Sequence, residues 1–170
     1  MTTCVSRRAA ISIAGVLAAA GALGLTGCGS TAEDRSDGPA TVTSIDGQQI
    51  RLPAPGEPTA VFFFSVGCGE CATGMHALGQ AAADSNGTRT RFLAVDMDPG
   101  ESTQTIRIFM QDIRAEHVPV AIDKDAAISR RYGVAALSTA IVVDAHGKVT
   151  FRATDPDAAT ITAQLDKAGV

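Results

Sequence analysis

The sequence predicts an α/β domain, a mixed central sheet with helices on both faces and a β-hairpin ahead of it. Three observations carry this. Residues 59–66 and 90–95 are continuous apolar runs of strand length, as expected of strands buried on both sides. Each is followed by a segment whose apolar residues recur at helical spacing. Towards the C-terminus, two more short apolar runs flank a tight turn, which adds antiparallel strands to the sheet.

The elements follow in order. Residues 42–45 and 49–52 flank Asp46-Gly47, a strong hairpin signal, and residues 53–58, with Pro53, Pro55 and Pro58, form a loop. After the first core strand, residues 70–83 read as a helix with Met75, Leu78 and Ala82 on one face, stopped by Asn86-Gly87. The second core strand leads to residues 102–114, amphipathic through Ile106, Phe109, Met110 and Ile113. Residues 119–122 form a short strand and 125–132 a short helix ended by Gly133. Residues 140–143 and 149–152 flank Asp144-Ala145-His146-Gly147, a second hairpin. A closing helix over residues 158–168 takes its start signal from Asp155-Pro156.

The first residues read as an export signal. Arg7 and Arg8 precede an Ala-rich apolar stretch, residues 9–25, and Leu25-Thr26-Gly27-Cys28 closes it with the apolar–small–small–Cys pattern of a bacterial lipobox. The stretch is short for a spanning helix and is interrupted by Ser12, Gly15, Gly21 and Gly24, which favours a cleaved signal over a retained anchor. Ser6-Arg7-Arg8 also partly matches a twin-arginine signal, while an ordinary Sec basic region stays open. The expected organisation is a lipoprotein signal over residues 1–27, a flexible polar tether over 28–40 and one domain over 41–170. Cys28 carries diacylglycerol and holds the chain on the extracytoplasmic face of the cell membrane.

Composition sets bounds on function. The chain of 170 residues suffices for one core. Loss of Arg7 and Arg8 takes the basic count from 14 to 12 against 18 acidic residues, a net charge of about −6. No basic cluster is visible along the chain, which speaks against nucleic-acid binding.

Cys68-Gly69-Glu70-Cys71 stands directly after the apolar run 60–64. A strand that ends in a turn and a helix opening on two cysteines three apart points to thiol–disulfide chemistry, because free N–H groups and the helix dipole stabilise the first thiolate. Half a zinc site is the competing reading, but two further ligands at recognisable spacing are not evident. With Cys4 lost alongside the signal and Cys28 lipidated, the mature chain keeps Cys68 and Cys71 as its thiols. A lone pair so close in sequence suits a redox couple better than a scaffold linking distant segments. Cys68 is the expected attacking thiol and Cys71 the resolving one.

The order of elements, with the cysteine pair at the first strand-to-helix turn, resembles the thioredoxin-like three-layer fold. The closer resemblance is to membrane-tethered thiol–disulfide oxidoreductases of the TlpA/ResA type, over roughly residues 41–168. It rests on Asp46-Gly47 with Ile50 and Leu52, Cys68-Gly69-Glu70-Cys71 with Met75, and Val118-Pro119-Val120 with Asp123. Further matches are Tyr132-Gly133-Val134 and Ile141-Val142-Val143-Asp144 with Gly147-Lys148-Val149. The resemblance implies no cofactor, and partners that are exported proteins with cysteine pairs plus a membrane electron donor or acceptor. The chain departs from it at three positions. Gly67 stands where the family has Trp, His76 where a helix proline is frequent, and Ser138 where a cis-proline faces the cysteines. A cis bond before a non-proline residue costs about 2.5–4 kcal/mol, so Leu137–Ser138 is expected trans. In the family, loss of that proline is associated with metal capture.

Several neighbours are candidate modulators. Glu70 would disfavour the adjacent thiolate and so favour a reducing couple, although an acid in a helix's first turn is also favourable by itself. His76 is expected on the surface, Met75 in the core, and His117 and His146 in loops. Asp96 or Asp98 could relay a proton, or simply be solvated at a strand end. Two functions compete. One is lipid-anchored thiol–disulfide exchange; the alternative is binding of copper or another soft metal ion through Cys68 and Cys71. Ser65, three residues before Cys68, suggests a peroxidase only weakly, without the rest of that pattern.

Overall fold

A computed structural model describes residues 39–169. The expected signal, Cys28 and nearly all of the tether lie outside the described residues. Among the described residues, no helix is long and apolar enough to cross a membrane.

β1 (Ala40–Thr43) and β2 (Gln49–Leu52) form an antiparallel hairpin with Ala40 opposite Leu52. Its turn is built by Ser44, whose hydroxyl oxygen accepts from the N–H groups of Asp46 and Gln48, and by Gly47 at φ +81°. That backbone conformation is open to glycine at little cost. The N–H of Ile45 donates to the carbonyl of Val120 at 2.7 Å, which ties the turn to the far edge of the main sheet.

The remaining elements follow as β3 (Thr59–Phe64), α1 (Cys71–Asp84), β4 (Arg91–Asp96), α2 (Thr103–Asp112), β5 (Val120–Ile122), α3 (Ala127–Arg131), β6 (Thr139–Val143), β7 (Val149–Thr154) and α4 (Ala158–Ala168). The five-stranded sheet has the order β5-β4-β3-β6-β7. β3 and β5 run parallel to β4, while β6 is antiparallel to both β3 and β7.

Strand alternation divides the interior into two cores. Ala60, Phe62 and Phe64 pack with Ala94, Ala140 and Val142 against Met75 and Leu78 of α1, Ile106 and Met110 of α2, and Ile161 and Leu165 of α4. Val61 and Phe63 point the other way, with Leu93, Val95 and Ile141, against Ile128 and Tyr132 beside α3 and Leu52 of the hairpin. Each fully buried phenylalanine is worth about 1.5–3 kcal/mol, so the Phe62-Phe63-Phe64 run anchors both layers at once. A Cβ on Gly74 would lie 2.3 Å from the Phe62 ring, so only a glycine lets α1 pack this closely on β3. This approach sets the start of α1 over the C-terminal end of the central strand.

Two details differ from the sequence expectation. The first helix opens at Cys71, so Cys68 lies in the preceding turn and not within a helical turn shared by both sulfurs. The last helix is capped by Asp157, whose carboxylate accepts from the Thr160 N–H at 2.7 Å. Asp155, expected as the start signal, instead stands at φ +48° and accepts a hydrogen bond from Ser138.

Candidate active site

Cys68 and Cys71 are joined as a disulfide, with their Cα atoms 5.3 Å apart. The connecting turn is tight: the Cys68 N–H donates to the Ser65 carbonyl and the Cys71 N–H to the Cys68 carbonyl, each at 3.1 Å. Cys71 is fully buried among the residues of the α1 core, whereas Cys68 is half-buried and flanked by exposed Gly67 and Gly69. Cys68 is therefore the partly exposed member of the pair and Cys71 the sheltered one. Glu70 occupies the cap position of α1 with an exposed side chain that makes no capping bond.

The acid most closely tied to this turn is Glu101, which the sequence reading did not single out. Its carboxylate accepts from the Ser65 hydroxyl at 2.7 Å, from the Val66 N–H at 2.9 and 3.0 Å, and from the Gly67 N–H at 3.4 Å. Two amides that precede Cys68 are thus already engaged by a negative charge. Ser65 is held in the same contact. The signal for Glu101 is topological. β3 and β4 are parallel neighbours with Phe64 opposite Asp96, so the loops leaving them converge, and an acid in the second loop meets amides in the first.

Asp96 is the second acid here. It ends β4, is fully buried, and accepts from the Asp98 N–H at 3.0 Å through Oδ1, while Oδ2 has no protein partner. Burial pushes its carboxyl up from 3.8 to about 7, the Asp98 amide opposes this, and the charges of Glu101 and Asp98 add to it. Of the two proton-relay candidates, Asp96 is the buried one. Asp98 is exposed and its carboxylate accepts from the Gly100 N–H at 2.8 Å.

Ser138 is buried immediately before β6, whose Thr139 pairs with Phe63, so it sits at the same end of the sheet as the disulfide. Its hydroxyl donates to the Asp155 carboxylate, and the Asp155 N–H returns a bond to the Ser138 carbonyl at 3.0 Å. Among the described residues the cis peptide bond is Leu52–Pro53, so Leu137–Ser138 is trans. Ser138 also adopts φ +57°, and the adjacent Leu137 is 38 % exposed.

The other expected residues among those described make no hydrogen bond to the cysteine turn. His76 is exposed and its Nδ1 lies 2.9 Å from the Ile113 carbonyl. His117 Nε2 lies 2.9 Å from the Gly79 carbonyl. Met75 is fully buried in the core beside Cys71. His146 lies in the β6–β7 turn, at the opposite end of the sheet. Among the described residues, no three His, Cys, Asp or Glu side chains are grouped to hold a metal ion.

Comparison with known proteins agrees with this geometry. A protein of Streptomyces lividans named mercury resistance operon ORF3 is 52 % identical over 84 % of this chain and 75 % of its own length. StoA from Bacillus subtilis superposes with a TM-score of 0.67 at 15 % identity, covering 75 % of this chain and 96 % of that one. A secreted disulfide oxidoreductase of Mycobacterium tuberculosis superposes with a TM-score of 0.63 at 18 % identity, covering 80 % and 99 % of the two chains. The two structural likenesses place the domain on the thioredoxin-like fold. The AhpC/TSA family model matches residues 38–152, and on that match, with the disulfide at its first strand-to-helix turn, the chain belongs to the AhpC/TSA family.

Proposed function

We propose that this protein is an extracytoplasmic, lipid-anchored thiol–disulfide oxidoreductase of the TlpA/ResA type, exchanging disulfides with exported proteins through Cys68 and Cys71. The observation that carries the reading is the disulfide itself, with a half-buried outer sulfur and a fully buried inner one at the end of the central strand. Only the outer sulfur meets a bulky partner, which separates the roles of the two.

In the reducing direction, the Cys68 thiolate attacks one sulfur of a partner disulfide. An S–S bond forms between Cys68 and the partner, and the partner's other sulfur leaves as a thiolate. The Cys71 thiolate then attacks Cys68, the mixed disulfide breaks, and the second partner sulfur departs. Two electrons have passed to the partner and Cys68–Cys71 is oxidised. A membrane electron donor restores the dithiol, and the opposite sequence of steps oxidises a partner. Asp96, whose carboxyl burial pushes up to about 7, ends the strand next to the one that leads to the disulfide and is the group we assign to hold the proton that Cys71 loses on attack. No cofactor enters these steps.

A second reading is favoured by a specific observation, the mercury-resistance naming of the Streptomyces lividans relative. In that reading the reduced pair binds a soft d¹⁰ ion such as Hg(II) or Cu(I), each thiol giving up its proton as a sulfur–metal bond forms. Two sulfur ligands suffice for a linear soft ion.

Two experiments on the purified protein separate the readings. Cys71→Ser is expected to trap mixed disulfides with partner proteins and Cys68→Ser to abolish exchange, read by non-reducing electrophoresis. Turnover of a protein disulfide by Cys71→Ser at the wild-type rate would refute the assigned roles. A glutathione redox titration is run beside Hg(II) and Cu(I) titrations of the reduced protein. Reversible two-electron exchange with weak metal binding supports the oxidoreductase, and tight one-to-one binding with sluggish exchange supports the metal reading.

A further inference from the structure

Cations that are scattered along the sequence gather in one place in the fold. A groove of about 980 Å³ lies between the loop after β2, the end of α3 and the β6–β7 turn. Arg51, Arg130, Arg131, Lys148 and Arg152 line it together with His146, and no Asp or Glu is among its lining residues. Five positive side chains share this surface on a chain whose net charge is −4. Arg152 is braced by bonds from its guanidinium to the carbonyls of Tyr132 at 2.5 Å and Gly133 at 3.2 Å, and Arg131 lies over the Tyr132 ring at 5.8 Å. Arg51, Arg130 and Lys148 are exposed. Asp144, the closest acid in the turn, directs its carboxylate to the N–H groups of His146 and Lys148, each at 2.9 Å.

The position of the groove gives it a meaning. Val143 pairs with Thr59, so the β6–β7 turn stands at the N-terminal end of β3, while the disulfide follows the C-terminal end of that strand. Glu70, Asp96, Asp98 and Glu101 lie on or beside the elements at the disulfide end, and the cations lie at the other. Pro39, the first described residue, also lines the groove, so the chain leading back to Cys28 departs from its rim.

We propose that this groove seats anionic phospholipid headgroups, holding the domain basic end down on the membrane with the disulfide end turned outward. The chemistry recognised is a phosphate monoanion held by several guanidinium and ammonium groups. A lipid source is favoured over a free anion because the tether begins at the groove and because several cations spread over an open surface suit an array of headgroups. This goes beyond the proposed exchange activity and rests on the lipid-anchor reading, which places the groove beside a membrane.

The test is hydrogen exchange on the full protein extracted from membranes and reconstituted into phosphatidylcholine vesicles, with or without roughly one-third phosphatidylglycerol. Exchange over residues 130–133 and 145–149 is expected to slow roughly tenfold on the anionic vesicles alone, with the protection lost at high salt. The double variant Arg130→Glu/Lys148→Glu is expected to lose the protection while keeping its thermal midpoint and disulfide-exchange rate. Equal exchange on the two lipids overturns the proposal. So does equal protection by inorganic phosphate without lipid, which would make this a small-anion site. Protection on neutral vesicles that vanishes in Glu33→Gln/Asp34→Asn/Asp37→Asn would make the acidic tether the occupant and also overturn it. Retention on neutral vesicles reads the anchor separately. A chain released from neutral vesicles yet protected on anionic ones refutes the anchor and supports the groove.

Discussion

At the scale of single residues, two carboxylates set the chemistry around the disulfide. Glu101 places a negative charge on the amides of Val66 and Gly67, just ahead of Cys68. That charge disfavours a Cys68 thiolate and leaves the neutral disulfide untouched, so it lowers the reduction potential. Glu101→Gln is therefore expected to raise the potential by about 10–30 mV in a glutathione titration. An unchanged or lower value would remove Glu101 from this role. Asp96 leaves its signature in stability. Below about pH 4 it is protonated in the folded and unfolded chains alike, and its burial costs little. From about pH 4 to about 7 the unfolded chain releases this proton while the folded chain holds it, so stability falls across that window and levels off once the folded carboxyl ionises as well. Asp96→Asn is expected to flatten the stability profile between those values and to stabilise the oxidised protein by about 2 kcal/mol at pH 8. Denaturant unfolding across that range checks it, and an Asn variant with the wild-type slope would show that another group titrates.

At the scale of elements, patterning made the fold legible and backbone strain was hidden. The apolar runs, the Asp46-Gly47 hairpin and the spacing of Met75 with Leu78 each follow from local periodicity, and the helix over residues 158–168 holds to its bounds. Cys68 and Cys71 were legible for the same reason, since both sit at a strand-to-helix transition. Asp96 was legible only as one of two strand-end carboxylates, and Glu101 was not, because its role depends on how parallel loops converge. The segment before β6 is the clearest case of hidden conformation. The resemblance to TlpA/ResA-type proteins puts Ser138 in a proline's place, yet its φ of +57° is far from the value near −65° that a proline ring imposes. Ser138→Pro is thus expected to break the Ser138–Asp155 contact, force the loop to rearrange, and destabilise the protein by about 2–4 kcal/mol. A denaturation midpoint equal to wild type would show that this loop readily takes up the proline-bearing conformation.

At the scale of the whole molecule, the two ends of the sheet have separate duties in this reading: exchange at one and attachment at the other. The proposed anchor joins the domain through residues 28–38, which span at most roughly 35–40 Å when extended, enough to keep the domain within reach of a bilayer surface but not to bind it there. An anchor that acts only through covalent attachment leaves the core and the disulfide unaffected when it is lost. Cys28→Ala is therefore expected to move the protein from the membrane to the soluble extracytoplasmic fraction. The thermal midpoint and the in vitro exchange rate of the released domain should stay at the wild-type values. Fractionation of cells with a signal-processing check measures the first, and calorimetry with an insulin-type disulfide assay the second. Retention of Cys28→Ala with an uncut leader would identify the apolar stretch over residues 9–25 as a lasting anchor. Loss of exchange activity in a folded, released domain would instead mean that the membrane end communicates with Cys68 through the sheet, a coupling that the separation of the two ends argues against.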